Sequence, residues 1–255
     1  MPHDIIDNRE EKLVDHIGSL LDNAEKARFA VGYFFLSGFK EIRAHLEKVQ
    51  EIRLLIGSMS NLETIEALAL GLGSVEAARK KLEPLNYLTK QEKAEAVRKE
   101  SEKLERVASQ LPQTDEDEAH VRFLAELVRS GRMKVKVYTK GVLHAKAYIV
   151  DYPEGRYERG SAIVGSSNLS LAGVTSNTEL NVVVPGNENH KKLAEWFERL
   201  WHEAEDFDKE LMHVLESSWA MNEPTPYELY LKVVYELVKE RLDEEIGRAS
   251  CRERV

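Results

Sequence analysis

A histidine and a lysine stand two residues apart in an apolar run, at His144 and Lys146. A strand directs alternate side chains to one face, so both would point the same way if this run is a strand. An imidazole beside an ammonium suits a phosphate ester, because the imidazole can attack or transfer a proton while the ammonium neutralises the non-bridging oxygens. A purely structural role for Lys146 is hard to argue, since a buried, unpaired ammonium is costly.

A turn follows with groups that can hold a phosphate. Residues 165–168 read Gly-Ser-Ser-Asn and offer hydroxyls, an amide and close approach of the backbone. Ser166 and Asn168 are therefore candidate ligands of phosphoryl oxygens. The alternative is that they are turn residues alone.

Two carboxylates complete the set of candidates. Asp151 follows the His-Lys pair and could simply open a hairpin, since residues 152–159 read as a polar hairpin loop. Glu179 lies just before the strand-like residues 180–184, so a plain carboxylate at a strand edge is an open alternative for it. The loop should lengthen the connection between motif halves without moving the site.

Together these residues resemble the HKD motif of the phospholipase D superfamily, His-x-Lys-x4-Asp followed by Gly-Ser-x-Asn. The resemblance implies an α/β fold, with a phospholipase D-like mixed sheet flanked by helices. It also implies metal-independent phosphodiester cleavage, in which His144 attacks phosphorus and Glu179 orients that histidine. The residues to which the resemblance gives catalytic roles are His144, Lys146, Asp151, Ser166, Asn168 and Glu179.

The implied mechanism needs two histidine–lysine pairs, and this chain has one convincing example. His190 also has a lysine two residues on, but it lies at a predicted helix start without a strand or a Gly-Ser-x-Asn turn. We therefore predict a homodimer in which His144 of one copy faces His144 of the other across a two-fold axis.

Charge around the motif differs from charge elsewhere. The chain carries a net charge of -9, yet residues 131–160 contain seven basic and three acidic residues. A solvated strand edge would give the same pattern, but its coincidence with the motif favours a groove for a phosphate backbone. The candidate substrate-binding residues are Lys134, Lys136, Lys140, Arg156 and Arg159.

Composition excludes several classes of protein. With 42% hydrophobic and 32% charged residues over 255 positions, the chain is expected to be soluble, globular and cytoplasmic. It contains no run of 18 apolar residues and no signal peptide, so no membrane partner is expected. The single cysteine, Cys251, argues against a disulfide, and no metal or nucleotide motif is present, so no cofactor or metal is expected.

Hydrophobic periodicity predicts the elements around the motif. A first strand at 30–36 turns into a helix to about residue 49, and a second strand covers 52–57. A helical insertion, expected to form an accessory subdomain, covers about 61–130. Strands at 162–164 and 180–184 complete the sheet, followed by an amphipathic helix with spacing 193, 196, 197, 200 and 201.

Three segments are expected along the chain. Residues 1–222 form the phospholipase D-like domain, and 223–246 form a C-terminal helix that links to a missing downstream domain. Residues 247–255 are interpreted as a vector-derived tail. The segment 32–39, Gly-Tyr-Phe-Phe-Leu-Ser-Gly-Phe, resembles the opening of family members fused to superfamily 2 helicases.

The leading functional hypothesis is a nuclease domain that acts on DNA or RNA, with DNA favoured. The alternative is a non-catalytic module that binds nucleic acid and dimerises in front of a helicase. Phospholipid hydrolysis ranks third, because no amphipathic helix rich in basic and aromatic residues is present.

Overall fold

The structure, a computed structural model, describes residues 4–32, 36–57, 89–109, 114–141, 143–221 and positions 226, 227, 230, 231, 233, 234 and 238. The strands in this part of the chain are β1 (Ile5–Ile6), β2 (Lys26–Val31), β3 (Glu51–Gly57), β4 (Met133–Tyr138), β5 (Lys146–Asp151), β6 (Gly160–Gly165), β7 (Asn181–Val184) and β8 (Glu205–Asp206). They form one sheet in the order β1-β7-β6-β5-β2-β3-β4-β8.

Helices flank this sheet. Those within the described ranges are α1 (Leu13–Leu21), α2 (Leu36–Glu41), α3 (Arg43–Leu46), α4 (Lys90–Ser109), α5 (Asp115–Arg129), α6 (Leu171–Thr175), α7 (Asn187–Glu203) and α8 (Asp208–Ser217). As far as the described residues show, none of them combines the length and apolar composition needed to cross a bilayer. The predicted α/β fold, a mixed sheet flanked by helices, is confirmed.

The middle of the sheet is parallel and its flanks are antiparallel. β3 pairs in parallel with both β2 and β4, whereas β5 runs antiparallel to β2 and to β6. Parallel neighbours need crossover connections, and helices α2 and α3, then α4 and α5, lie in those connections. The carboxyl ends of β2, β3 and β4 therefore lie at the same end of the sheet as the start of β5.

Alternation along the strands divides the core between the two faces of the sheet. Phe29 and Val31 of β2 pack in a large cluster with helices α1–α6 and α8, whereas Ala30 packs in a smaller one. In the described residues, the smaller cluster is covered by α7, through Phe197 and Trp201. These two rings stack with centroids 5.5 Å apart.

The crossover helix α5 begins with an acidic run. Thr114 is its N-cap, and its Oγ1 accepts a hydrogen bond of 3.1 Å from the backbone N–H of Asp117. The four acidic residues 115–118 occupy its first turn, where the helix dipole favours negative charge.

Several expected elements differ from the observed ones. The strand expected at 30–36 corresponds to β2, which covers 26–31, and two short helices replace the single helix expected to about residue 49. β4 was not predicted, although Met-Lys-Val-Lys-Val-Tyr alternates as a half-buried strand should.

The predicted insertion, where described, packs with the rest of the molecule. Leu104 of α4 and Val121, Leu124 and Leu127 of α5 belong to the large core cluster. These two helices are therefore crossover elements of the main fold, not the accessory subdomain that was expected. The start of the insertion, residues 58–88, lies outside the described residues. Beyond 221, the described positions are helical, whereas the tail at 247–255 lies outside them.

Candidate active site

The site candidates meet at one end of the sheet. Strand register places Lys146, the first residue of β5, opposite Gly165, the last residue of β6, and Gly165 opposite Asn181, the first residue of β7. Gly32 follows the carboxyl end of β2, beside β5. We call this the site end, and the opposite one, where β5 finishes at Asp151, the far end.

His144 and Lys146 lie at the site end, although the strand begins only at Lys146. Leu143 and Ala145 pack with the smaller core cluster, as Ala147 does, so the alternation of β5 continues back through residue 143. The side chains of His144 and Lys146 therefore point to the side of the chain opposite the smaller core cluster. His144 is exposed and Lys146 is half-buried, and neither side chain forms a hydrogen bond or ion pair within the described ranges.

Two phosphate-binding candidates, Lys146 and Asn168, lie close to the backbone of Gly32. A Cβ at this position would lie 3.2 Å from Asn168 Oδ1 and 3.8 Å from Lys146 Cε. It would also lie 3.1 Å from the carbonyl oxygen of Leu143. A side chain would crowd this space, so glycine permits the Asn168 amide oxygen and the end of the Lys146 side chain to approach the same backbone.

Ser166 and Glu179 contact each other. Ser166 Oγ donates a hydrogen bond to Glu179 Oε2 and accepts one of 3.0 Å from the backbone N–H of Leu180. The single hydroxyl proton of Ser166 is therefore directed at Glu179. In the described residues Glu179 contacts Ser166 and forms no hydrogen bond with His144, so its orienting role stays a prediction.

Three buried polar residues behind the turn were not singled out from the sequence. The hydroxyl of Tyr148 donates to the carbonyl oxygen of Ser167 at 2.9 Å, and Asn181 Nδ2 donates to Ser167 Oγ at 2.8 Å. A polar residue opening an otherwise apolar strand, as Asn181 opens β7, is the one signal that could have revealed this contact.

Asp151 lies apart from the other motif residues. It ends β5, five residues after Lys146, which corresponds to about 16 Å along an extended strand. Arg28 Nη1 donates to it at 2.6 Å, and His190 Nε2 lies 2.8 Å from its other oxygen. Burial alone would raise the pKa of Asp151, but the hydrogen bonds from His190 and Arg28 lower it overall. Asp151 is therefore part of an ionic network at the far end and lies away from the candidates at the site end.

Most of the predicted substrate-binding cations also lie away from the site end. Arg156 and Arg159 belong to the hairpin loop that joins β5 to β6, which is at the far end. Lys134 is exposed on the second residue of β4, near the same end. The prediction of a single groove at the motif is corrected accordingly, because the length of strand β5 separates the hairpin loop from Lys146.

The two remaining cations are already paired. Lys136 Nζ lies 3.1 Å from Asp206 Oδ1 and 5.3 Å from the centroid of the Trp201 ring. Lys140, just beyond the end of β4 and therefore at the site end, lies 3.8 Å from Glu203. Within the described residues, no three histidine, cysteine or acidic side chains are grouped as they would be to hold a metal ion.

The family is shown by sequence. Residues 19–201 match the family model described as cardiolipin synthase, PLD-like domain. This match spans most of the chain, so the protein belongs to the PLD-like domain family of the phospholipase D superfamily. No curated protein matches the chain.

Solved structures with a similar fold include bacterial members of the superfamily. Nuc from Salmonella typhimurium, a phospholipase D family member, is 15% identical, with a TM-score of 0.41, over 75% of this chain and 88% of its own. NucT from Helicobacter pylori is 13% identical, with a TM-score of 0.42, over 80% and 97%. The phosphatidylserine synthase of Haemophilus influenzae is 13% identical, with a TM-score of 0.44, over 93% and 45%.

Proposed function

We propose that this protein hydrolyses phosphodiester bonds in nucleic acid, with DNA favoured over RNA, through a phosphohistidine intermediate. The observation that carries the proposal is the convergence of Lys146 and Asn168 over Gly32, on the segment that carries an exposed imidazole, His144. The unpaired ammonium of Lys146 can neutralise phosphoryl oxygens, the neighbouring amide can donate hydrogen bonds to them, and an exposed imidazole can approach the phosphorus.

The proposed reaction has two steps. The His144 imidazole attacks phosphorus, and an N–P bond forms as the bond from phosphorus to the leaving oxygen breaks. A second histidine gives its proton to that oxygen. Water then attacks phosphorus and passes a proton to the second histidine, and the N–P bond breaks. Glu179 has a second carboxylate oxygen besides the one bonded to Ser166, so it can keep that contact and still orient His144.

The second histidine is proposed to come from a second copy of the chain. His190, the other histidine followed by a lysine two residues on, lies in α7 and bonds Asp151 at the far end. It is therefore a poor candidate for a second catalytic pair. A homodimer supplies an identical imidazole at a two-fold axis.

An exposed apolar stripe beside the site is proposed as the dimer surface. Ile5, Leu180 and Val182 are 58%, 60% and 40% exposed. Ile5 and Val182 are paired between β1 and β7, and the Leu180 carbonyl oxygen accepts from the backbone N–H of Ser166 at 3.1 Å. The stripe thus reaches the catalytic turn, which a second copy must also approach.

The chemistry is tested by trapping the intermediate. Purified protein with excess chelator and end-labelled single-stranded DNA, quenched at high pH, should carry label on His144, and the His144→Ala variant should carry none. His213, exposed on α8, provides the matched control, because His213→Ala should trap label as the parent does. DNA binding without cleavage or label would instead favour the non-catalytic module.

The dimer is tested by sedimentation analysis. Leu180→Glu should give monomers and lose activity, because a carboxylate would have to be buried without a partner. Tyr157→Glu is the control, since Tyr157 is 94% exposed in the far-end hairpin. A Leu180→Glu variant that stays dimeric would remove this surface from the proposal.

The setting of the activity is proposed on sequence alone. Segment 32–39 resembles the opening of family members fused to superfamily 2 helicases. This resemblance supports a cytoplasmic protein with a helicase domain downstream. Three of its residues, 33–35, lie outside the described part of the chain. Isolation of the full-length protein and an assay for ATP-dependent strand separation would test this setting.

A further inference from the structure

Ser167, the middle residue of the turn, is fully buried between two site candidates. It is 0% exposed, whereas its neighbour Ser166 is exposed. Its carbonyl oxygen accepts from the Tyr148 hydroxyl at 2.9 Å, and its Oγ accepts from Asn181 Nδ2 at 2.8 Å. Its backbone N–H also donates to Asn181 Oδ1 at 3.4 Å. Two side chains therefore hold this residue through three polar groups.

The two side chains are themselves fixed by the sheet. Tyr148 is 1% exposed and lies in β5, two residues after Lys146, between Phe29 of β2 and Ile163 of β6. Its ring packs against that of Phe29, with centroids 5.6 Å apart. Asn181 is 0% exposed and opens β7 opposite Gly165. Neither side chain can move without disturbing strand pairing or core packing.

We infer that Tyr148 and Asn181 are positioning residues for the proposed reaction, since they hold the turn that carries Ser166 and Asn168 at a fixed distance from Lys146. This inference rests on the proposed function. The hydroxyl of Tyr148 comes from the strand that carries the ammonium, and the carbonyl that it binds belongs to the turn that carries the amide. The hydrogen bond thus joins the two halves of the phosphate-binding group directly.

The hydroxyl of Tyr148 remains a donor throughout the working pH range. Burial raises the pKa of this phenol well above its usual value, and the nearby charge of Glu179 acts in the same direction. We call the hydrogen-bonded group of Tyr148, Asn181 and Ser167 the clamp. It does not titrate near neutrality, so a variant that removes it should change the reaction rate and not the shape of the pH–rate profile.

Tyr148→Phe deletes one oxygen and keeps the packed ring. Without its donor, the Ser167 carbonyl can shift, and displacements of about 1 Å cost on the order of a hundredfold in rate. With bis(p-nitrophenyl) phosphate as the probe, we expect kcat to fall by about ten- to a hundredfold. KM should rise by no more than about tenfold, in step with the affinity for a bound oxyanion, because the same groups hold the phosphate of the substrate. The dissociation constant for tungstate, an inert phosphate analogue, should rise by about tenfold, since bound oxyanion tests geometry without chemistry.

Tyr152→Phe is the matched control. Tyr152 follows β5 at the far end and is half-buried, so its replacement removes the same atom away from the site. Its kcat and tungstate affinity should equal those of the parent protein. Ser167→Ala removes the other half of the clamp and gives a second reading, with thermal melting reporting on folding in every variant.

The results separate the clamp from the proposed function. Parent-like kcat and tungstate affinity in folded Tyr148→Phe and Ser167→Ala would overturn the clamp, even if the parent cleaves the probe. A parent that binds tungstate and does not cleave would end the proposed function alone, and the tungstate affinities would still decide the clamp. A parent that neither binds tungstate nor cleaves would overturn both.

Discussion

The two ends of β5 carry polar groups in opposite states. At the site end, His144 is exposed, Lys146 is half-buried, and neither has a hydrogen-bonding or ionic partner in the described ranges. At the far end, Asp151 binds both Arg28 and His190. Glu198 extends the network, because it accepts 3.0 Å hydrogen bonds from Arg28 and Arg53.

The contrast separates two uses of charge. Groups that satisfy one another stabilise the fold and leave nothing for a ligand, whereas unpaired groups held by a rigid strand are available to bind one. The two ends of one strand, five residues apart, thus carry a candidate reaction centre and a stabilising network. Substitutions at the site end should change activity, and those at the far end should change stability.

Replacing the nucleophile should give the largest effect. His144→Ala should lower the rate of phosphodiester cleavage by about a thousandfold or more, given what nucleophilic and acid–base groups contribute. Its melting temperature should match that of the parent, because His144 is exposed and unpaired within the described residues. Steady-state assays and calorimetry would measure both, with His213→Ala as control. Near-parental activity would end the catalytic proposal.

Removing the ammonium should come next. Lys146→Met should reduce kcat by about a hundredfold, the typical loss for one oxyanion-stabilising donor. Stability should hold or increase slightly, since a half-buried cation without a partner is removed. Lys134→Met, an exposed lysine near the far end, is the control and should cleave at the parental rate. Equal losses of kcat in the two variants would mean that the location of a lysine at the site end does not determine its effect on the reaction.

The buried residue His120 tests whether burial of an ionisable side chain is enough to make the stability of the fold depend on pH. Burial lowers the pKa of His120 to about 4, and its Nε2 lies 3.0 Å from the carbonyl oxygen of Leu36. The folded state keeps the ring neutral where the unfolded state binds a proton, so stability falls as pH drops from about 6.5 towards 4. The loss should approach about 3 kcal/mol.

Chemical denaturation between pH 7 and pH 4 would measure this loss. His120→Gln keeps a donor and does not titrate, so its stability should depend less on pH than that of the parent. Equal pH slopes in the two proteins would assign the acid sensitivity to other groups.

Breaking the far-end network should give the smallest of these effects. Asp151→Asn should destabilise the fold by about 2 kcal/mol, below the 3–5 kcal/mol of a fully buried pair, because these side chains are partly exposed. The activity per folded molecule should stay parental. Urea unfolding would measure the stability, and Glu154→Gln in the adjacent loop would serve as control. A large loss of kcat in folded protein would show that the two ends are coupled.

The sequence predicted the site end better than the far end. The motif residues His144, Lys146, Ser166 and Asn168 are brought to one end of the sheet because their strands are neighbours in both sequence and space. Asp151 belongs to the same motif, yet strand direction carries it away, and its partner His190 lies 39 positions along the chain. Such a pairing follows from packing of α7 on the sheet, which no local pattern encodes.

The buried clamp was missed for a related reason. Tyr148 reads as an ordinary aromatic strand residue, and Asn181 reads as the edge of an apolar strand. Their contacts with Ser167 arise only from the register of β5, β6 and β7. β4, in contrast, could have been found, since its alternation is plain just after the predicted end of the helical insertion.

The hairpin between β5 and β6 is a suitable attachment point for labels and tethers. Its tip, with Gly155 at a φ of 93° and Tyr157 almost fully exposed, projects from the end of the sheet that is remote from His144. Exposed loop tips are where inserted sequences are best tolerated. A fluorophore, affinity peptide or immobilisation handle placed there should leave the site end unobstructed, so single tethered molecules could be used to follow the proposed reaction.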